Sequence, residues 1–286
     1  MILSMTGYGK SEGSLENKKF SVEIRSLNSK QIDMNTRMPS VYREHELSIR
    51  KQIAKELGRG KVEFSLMVEH TGLNTNNTIN HEMVNHYLND LEQLNPSGDS
   101  SSLLSIAMRL PDVFKKEKEN IDPKEWSVVE QLIEEAIAKL KTFRMNEGNV
   151  LSEDFKLRIQ HISSHLFEIK NTEKDRVQKV KNRLQSKLEE LEIKIDENRY
   201  EQELIYYLEK FDITEEIIRL ENHLEYFVET MNSDHSEGKK LSFICQEIGR
   251  EINTIGSKSN DSKMQKLVIG VKDELEKIKE QMLNVL

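Results

Sequence analysis

Residues 18–38, KKFSVEIRSLNSKQIDMNTRM, decide the architecture of the amino-terminal part of this chain. Apolar residues alternate with polar ones over residues 20–25 and again over 32–37, and a loop-like SLNSK separates the two runs. A period of two is that of a half-buried strand, because successive side chains point to opposite faces of a sheet. The stretch therefore predicts two strands joined as a hairpin, the second of which ends at Pro39.

The neighbouring segments extend this hairpin into a small α+β unit. Residues 2–9 are predicted to supply a partner strand. Residues 41–57 switch to helical spacing and end before Gly58, a residue type that readily adopts the left-handed conformation found after helices. Alternation returns over residues 61–68 and predicts another strand. We therefore predict a β-rich domain over residues 1–72.

Helical spacing dominates the rest of the chain. The last of the four prolines is Pro123, and from Val177 to Ile195 apolar residues recur every three or four positions, as in a coiled-coil seam. The expected fold class is α+β, with the small β-rich unit followed by a mainly α body of long helices. We predict short helices and loops over 73–123, a long coiled-coil-like helical arm over 124–198, and a carboxyl-terminal helical domain over 199–286. Four helices are predicted towards that end of the chain, at residues 197–210, 213–231, 240–255 and 260–284.

The charge balance limits the classes of function. The chain has 286 residues and carries 42 Lys+Arg against 50 Asp+Glu, for a net charge of −8. A protein that coats nucleic acid without specificity needs a net basic surface, so that class is disfavoured. A nucleic-acid enzyme whose basic groups are concentrated in one place remains open. The sequence motifs GxGxxG, GxxxxGK[ST], HExxH and CxxC are absent.

Compartment signals favour the cytoplasm. The single cysteine, Cys245, excludes an intrachain disulfide framework. No apolar run approaches the roughly 18 residues that would span a membrane. The first residues, MILSMTGYGK, lack the basic and apolar regions of a signal peptide. We therefore expect a cytoplasmic protein with no membrane partner.

Glu247 and Glu251 stand four residues apart on one of the predicted helices. Like charges at that spacing repel each other. A divalent cation between the two carboxylates would remove the repulsion, since hard cations prefer oxygen ligands. Arg250 or another nearby cation could neutralise the pair instead, so the spacing leaves both a metal site and a plain ion pair open.

A second polar group, Glu216, Arg219 and His223, is predicted to share one face of the preceding helix. A carboxylate, a guanidinium and an imidazole could together neutralise charge, orient a phosphodiester and act as acid or base. An ordinary solvated helix face would have the same composition, and this interpretation stays open.

Basic residues also cluster in the amino-terminal unit. Arg25 and Arg37 flank the predicted hairpin, and Arg59 and Lys61 open the strand that follows. Arginine binds phosphate through two parallel hydrogen bonds, so this cluster could hold a nucleic-acid backbone. Ordinary surface charge is the alternative.

Four segments of the chain resemble the YicC/YloC family. They are residues 5–9 (MTGYG), 22–28 (VEIRSLN), 59–62 (RGKV) and, most specifically, 250–261 (REINTIGSKSND). The resemblance implies a metal-dependent endoribonuclease of the bacterial cytoplasm, linked to stress and to the turnover of small RNAs, with Mn²⁺ as the favoured ion. It also implies a hexamer with a central chamber that opens and closes around RNA.

The family pattern matches this chain at most positions, and it departs from it at two. The matching residues of the carboxyl-terminal motif are Glu247, Arg250, Glu251, Asn253, Lys258 and Asp261. Gly249 replaces an Asn that often precedes the Arg of that motif. Asn28 matches, but Ser29 stands where family members commonly have a His, so any contact made by that His must be compensated here.

Residues and resemblance together predict hydrolysis of internal phosphodiester bonds in hairpin-like RNA, during RNA turnover under stress. The expected ligands of Mn²⁺, or of Mg²⁺, are Glu216, His223, Glu247 and Glu251. The expected catalytic residues are Glu247, Glu251, Arg250 and Lys258. The expected RNA-binding residues are Arg25, Asn28, Arg37, Arg59, Lys61 and Arg219.

Recognition of RNA shape is expected rather than base stacking, because no aromatic cluster lies near these basic residues in the sequence. The expected partners are RNA, further copies of the chain in a hexamer, and other RNA-decay enzymes. Two alternatives stay open. One is an RNA-binding adaptor that cuts nothing, and the other is a helical oligomeric scaffold.

Overall fold

The computed structural model of the protein describes residues 1–29, 31–71, 77–116, 121–190 and 197–286. A four-stranded sheet forms near the amino terminus, and long helices make up most of the remaining chain. The predicted α+β class, with a small β-rich unit followed by a helical body, is therefore confirmed.

The sheet corrects the predicted hairpin. Its strands are β1 (Gly7–Leu15), β2 (Lys18–Leu27), β3 (Ile32–Arg37) and β4 (Gly60–His70), in the order β1-β2-β4-β3. β1 and β4 pair antiparallel with β2, whereas β3 pairs parallel with β4. The strand β4 therefore separates β2 from β3. A helix connects β3 to β4, and a crossover of this kind joins parallel neighbours.

That connection begins with a 3-10 helix, Ser40–His45, and continues as α1 (Glu46–Leu57). It ends as predicted at Gly58, whose φ is 71°. β1 starts later than the predicted strand at residues 2–9, because the residues before it bond to the carboxyl-terminal segment. Met5 N–H donates to the Asn284 carbonyl at 2.8 Å, and Leu286 N–H donates to the Leu3 carbonyl at 2.8 Å.

The segment after the sheet contains two helices and a small two-stranded sheet. The strands β5 (Asn77–Ile79) and β6 (Phe114–Lys116) pair antiparallel, and between them lie α2 (His81–Leu94) and α3 (Ser100–Ala107). Short helices and loops were predicted over 73–123, and the structure has these two helices in the described part of that segment. The two strands were not predicted, because three residues are too few to show alternation.

One helix, α4 (Pro123–Glu190), contributes to two hydrophobic cores. Its first part covers the sheet and packs Ile133, Ala136 and Leu140 against strand residues such as Phe20 and Ile24. A Cβ at Gly9 would lie 2.0 Å from the Ala136 carbonyl oxygen, so only glycine lets β1 approach α4 this closely.

The later part of α4 belongs to the carboxyl-terminal core, to which it contributes Phe155, Ile162 and Ile169. All apolar side chains of the predicted seam from Val177 to Ile195 lie outside the described residues. Because α4 serves both cores, the boundaries proposed at residues 72, 123 and 198 stay predictions.

The four predicted carboxyl-terminal helices are confirmed. They are α5 (Glu197–Phe211), α6 (Thr214–Met231), α7 (Gly238–Lys258) and α8 (Ser262–Met282). Asp261 caps α8, since its carboxylate accepts from Lys263 N–H at 2.8 Å and Met264 N–H at 3.1 Å. α6, α7 and α8 pack with the later part of α4 around one core. In the described ranges we find no helix that combines the length and apolar character needed to cross a bilayer.

Candidate functional site

The candidate site lies where α6 and α7 pack against each other. Each helix buries an apolar stripe, which includes Leu220 and Leu224 on α6 and Ile248 and Ile252 on α7. Glu216 and His223 are seven residues apart, which is about two turns, so they lie on the same face of α6. That face borders the apolar stripe. The two helices run antiparallel, so polar residues near the start of α6 meet residues near the end of α7.

His223, Glu247 and Glu251 form a metal-ligand trio at this edge. Their ligand atoms all lie within 4.8 Å of one another. Glu251 is 4% exposed, and in the described part of the chain its carboxylate has no hydrogen-bond or ion-pair partner. A buried carboxylate without a compensating cation is unfavourable. The trio therefore brings two carboxylates and one imidazole within reach of a single cation.

Arg250 does not supply that cation. Its Nη1 lies 3.8 Å from Glu247 Oε2, and the side chain projects into solvent. The contact is long, exposed and confined to Glu247, so it leaves Glu251 without a counter-charge. The alternative in which Arg250 neutralises both carboxylates is thus not what the structure shows.

Glu216 is held apart from the trio by a pairing with Lys258. The Lys258 ammonium donates to Glu216 Oε1 at 2.7 Å and to the Asp212 carbonyl at 2.9 Å. Glu216 is 7% exposed, and its Oε2 is buried without a hydrogen-bond partner. It precedes His223 by two turns, about 10 Å along α6. The structure therefore does not bring Glu216 into contact with the trio, and its role as a ligand stays a prediction.

Arg219 faces solvent rather than the trio. Its Nη2 donates to Glu215 Oε1 at 2.5 Å, one turn earlier on α6. Both side chains of this pair are largely exposed. Glu216, Arg219 and His223 therefore do not form one contact cluster, although they share a side of the helix.

The outer face of the sheet brings Arg25 and Arg37 together across β4. Both line a cavity of about 230 Å³, which also includes Glu23, Asn35 and Glu63. Arg25 donates to Glu23 Oε1 from Nε at 2.8 Å, and its guanidinium lies 5.6 Å from the centre of the Tyr8 ring. The hydrogen bond from Arg25 to Glu23 raises the pKa of the arginine. This surface keeps two of the predicted RNA-binding arginines within one recess.

Two other predicted RNA-binding residues join the sheet to the carboxyl-terminal segment. Asn28 Nδ2 donates to the Leu283 carbonyl at 2.5 Å, and Arg59 Nη2 donates to the Val285 carbonyl at 2.8 Å. Lys61 is exposed on β4. The first two side chains therefore have structural partners, and RNA binding by all three stays a prediction.

Arg144 on α4 is a buried residue that the sequence analysis missed. It donates to the Ser26 hydroxyl at 2.6 Å and to the carbonyls of Leu57, Met5 and Arg59 at 3.1, 3.2 and 3.3 Å. Burial, and then the charge of Arg59, lowers the pKa of Arg144 to about 10. The available signal was its spacing, four residues after Leu140 on the apolar stripe. It fixes the strand ends that carry Asn28 and Arg59.

Comparison with known proteins covers almost the whole chain. The family model described as "Endoribonuclease YicC-like, N-terminal region" matches residues 2–153, and "Endoribonuclease YicC-like, C-terminal" matches residues 169–286. A protein of Clostridioides difficile (strain 630) is 35% identical over 293 aligned positions. One of Haemophilus influenzae (strain ATCC 51907 / DSM 11121 / KW20 / Rd) is 26% identical over 290. Both alignments cover 100% of each chain, and both proteins are named "Probable endoribonuclease YicC". The two family models match both halves of the chain, and a relative that is 35% identical matches it over its full length. The chain therefore belongs to the YicC-like endoribonuclease family.

Proposed function

We propose that this protein is a metal-dependent endoribonuclease that hydrolyses internal phosphodiester bonds in structured, hairpin-like RNA. Family membership and the names of the two relatives support RNA cleavage. The observation that carries metal dependence is the trio of His223, Glu247 and Glu251, whose ligand atoms converge within 4.8 Å.

The trio fits a divalent cation. Two carboxylates and one imidazole suit ions such as Mn²⁺, and carboxylate ligands also suit Mg²⁺. Glu251 in particular is buried and has no cationic partner in the described residues, so a bound ion would supply the missing positive charge. When bound, the cation offsets charge that develops on the phosphate during hydrolysis.

The members of the trio would bind the cation, and basic side chains near them would contact the phosphate. Glu247 and Glu251 hold the cation, and His223 serves as the third ligand. Arg250 projects beside Glu247 and can swing toward a phosphate, because only one long contact restrains it. Lys258 is held in place by Glu216 and Asp212, and places a positive charge two turns from Glu251. Glu216 could take part as a ligand only after a rearrangement of that pair.

The residues predicted from sequence to bind RNA would hold the parts of the RNA that lie away from the cleaved bond. Arg25, Arg37 and Lys61 lie on the outer face of the sheet, where they can reach a phosphate backbone. Asn28, Arg59 and Arg219 would contribute by rearranging their present hydrogen bonds. Assembly as a hexamer, a cytoplasmic location, a role in stress-linked RNA turnover and cooperation with other decay enzymes complete the proposal.

The test is cleavage of a labelled hairpin RNA by the purified protein with Mn²⁺, with Mg²⁺ and with EDTA. We expect internal cuts with Mn²⁺, none with EDTA, and at least a 100-fold loss of rate for Glu251→Gln. Glu225→Gln, an exposed glutamate on α6, is the matched control and should cleave like the unaltered protein. RNA binding without metal-dependent cutting would favour the adaptor, and undiminished cutting by Glu251→Gln would contradict the proposal.

A further inference from the structure

Two exposed aromatic side chains stand beside the metal-ligand trio. Phe243 on α7 is 63% exposed, and Tyr226 on α6 is 44% exposed. Phe243 precedes Glu247 by four residues and Tyr226 follows His223 by three, so each is a direct neighbour of a trio member on its own helix. The Lys240 Nζ lies 5.0 Å from the centre of the Tyr226 ring, which shows that α6 and α7 meet at this point.

Exposure alone does not make these residues functional, since single apolar side chains are common on protein surfaces. Their position is the informative feature. Phe243 lies outside the buried stripe of α7, which includes Leu241 and Ile244, and therefore does not serve the core. It lies instead about one turn, roughly 6 Å along the helix, from Glu247 of the trio.

Charged residues follow one another along this edge of α7. Lys240, Glu247, Glu251 and Lys258 follow one another at spacings of seven, four and seven residues, so all four fall on one side of the helix. A cation filling the trio would lie between the two lysines, each of which is also paired with a carboxylate, Lys240 with Glu237 at 3.0 Å and Lys258 with Glu216 at 2.7 Å. A phosphate backbone along this edge would thus meet three cationic groups in turn.

We infer that Phe243 and Tyr226 form a stacking surface for an unpaired base of the RNA next to the bond that is cut. The inference rests on the proposed function and adds to it the recognition of a single-stranded base at the cleavage point. Aromatic side chains accept any base, because every base has a π-face. It also modifies the expectation from sequence that RNA shape alone is recognised, since these aromatic residues come from two different helices and flank the trio only in the folded chain.

A tryptophan at position 243 would report stacking directly. The chain has one tryptophan, Trp126, whose ring stacks on His45 at 3.6 Å near the sheet and gives a constant background. Phe167 on α4 is also 63% exposed and is therefore a matched control position. An unstructured RNA oligonucleotide would be mixed with the full-length Phe243→Trp and Phe167→Trp proteins in Mn²⁺, and fluorescence followed in the first seconds. We expect RNA to quench Phe243→Trp and to leave Phe167→Trp unchanged.

Affinity measurements give the second readout. Phe243→Ala should weaken binding of the oligonucleotide about 10-fold, whereas Phe167→Ala should stay within about two-fold of the unaltered protein. An oligonucleotide of abasic sugar-phosphates should bind Phe243→Ala and the unaltered protein alike, because it has no base to stack. Equal quenching at both positions, unchanged affinity of Phe243→Ala, or an equal loss on the abasic strand would overturn the inference. So would a change in oligomeric size with RNA affinity intact, which would make this face a contact between copies.

The experiments distinguish failure of the base-stacking inference from failure of the proposed endoribonuclease activity. Quenching and a Phe243-dependent affinity without any cut product would support base stacking and contradict the endoribonuclease. Cleavage with no effect at Phe243 would do the reverse. No RNA binding at all would overturn both.

Discussion

Lys258 and Glu216 form a hydrogen-bonded ion pair across the junction of α6 and α7, with Nζ and Oε1 2.7 Å apart. Replacing Lys258 with methionine would leave a buried carboxylate without its cation. We expect the free energy of unfolding to fall by about 2 kcal/mol, less than for a fully buried pair, because the lysine is partly exposed. Urea denaturation in EDTA measures this loss, and the double variant Glu216→Gln, Lys258→Met should recover part of it. A double variant as unstable as the sum of the two single variants would show that the pair does not couple.

The same geometry predicts which side chains determine metal affinity. Glu251→Gln and His223→Ala should each weaken Mn²⁺ binding at least 10-fold, because both remove an atom from the trio. Glu216→Gln should bind Mn²⁺ within about two-fold of the unaltered protein, since Glu216 lies about two turns from His223. Isothermal titration calorimetry gives the dissociation constants. A large loss for Glu216→Gln would restore it to the ligand set.

RNA affinity should depend on Arg37 through charge. Arg37→Gln removes one cation from the recess that it shares with Arg25. We expect weaker RNA binding and a smaller slope of log K against log salt, by about one unit if one phosphate contact is lost. Fluorescence anisotropy over a range of salt concentrations measures the slope. Arg43→Gln, an exposed arginine on the 3-10 helix, is the control, and an equal effect of both changes would argue against a specific recess.

Stability at acid pH should depend on Glu274 of α8. Burial acts to raise the pKa of Glu274, but hydrogen bonds from Lys277 at 2.7 Å and Arg158 at 3.1 Å outweigh it and lower the pKa to about 2. A carboxylate with a folded-state pKa below its unfolded value stabilises the protein above the unfolded pKa, near 4.5. This contribution is lost as pH falls from about 4.5 toward 2.

The variant Glu274→Gln tests this linkage. It should be less stable than the unaltered protein at pH 7 by about 2 kcal/mol, and the difference should shrink toward zero as pH approaches 2. Urea unfolding at a series of pH values measures it. Glu276→Gln, an exposed neighbour on α8, should show little difference at any pH. A constant deficit for Glu274→Gln down to pH 2 would assign its effect to packing rather than to charge.

Local patterns predicted the elements of this fold well, and long-range partners poorly. The alternation around Phe20 and Ile24 identified β2, and the spacing around Leu220 and Leu224 identified α6. The insertion of β4 between β2 and β3 could not be predicted, because the polar and apolar alternation of a strand does not specify which strand pairs with it.

In the candidate site, too, the sequence predicted residues that are close along the chain and did not predict which distant residues meet. Glu247 and Glu251 were identified as a pair because both lie on one helix at a fixed spacing. Their meeting with His223 depends on how far α6 is shifted along α7, which only the packing of the two apolar stripes determines. The separation of Glu216 from the trio has the same origin. Arg144 was missed because a charged residue on an apolar stripe has no partner that the sequence can identify.

The unbroken course of α4 through both cores has a consequence for substrate length. From Ala136, under the sheet, to Ile162, in the carboxyl-terminal core, the helix advances roughly 40 Å. Because that helix is continuous, it fixes the spacing between the sheet and the carboxyl-terminal core. An RNA that reaches both the arginine recess and the metal-ligand trio of one subunit must therefore cross between two cores whose spacing cannot adjust to it.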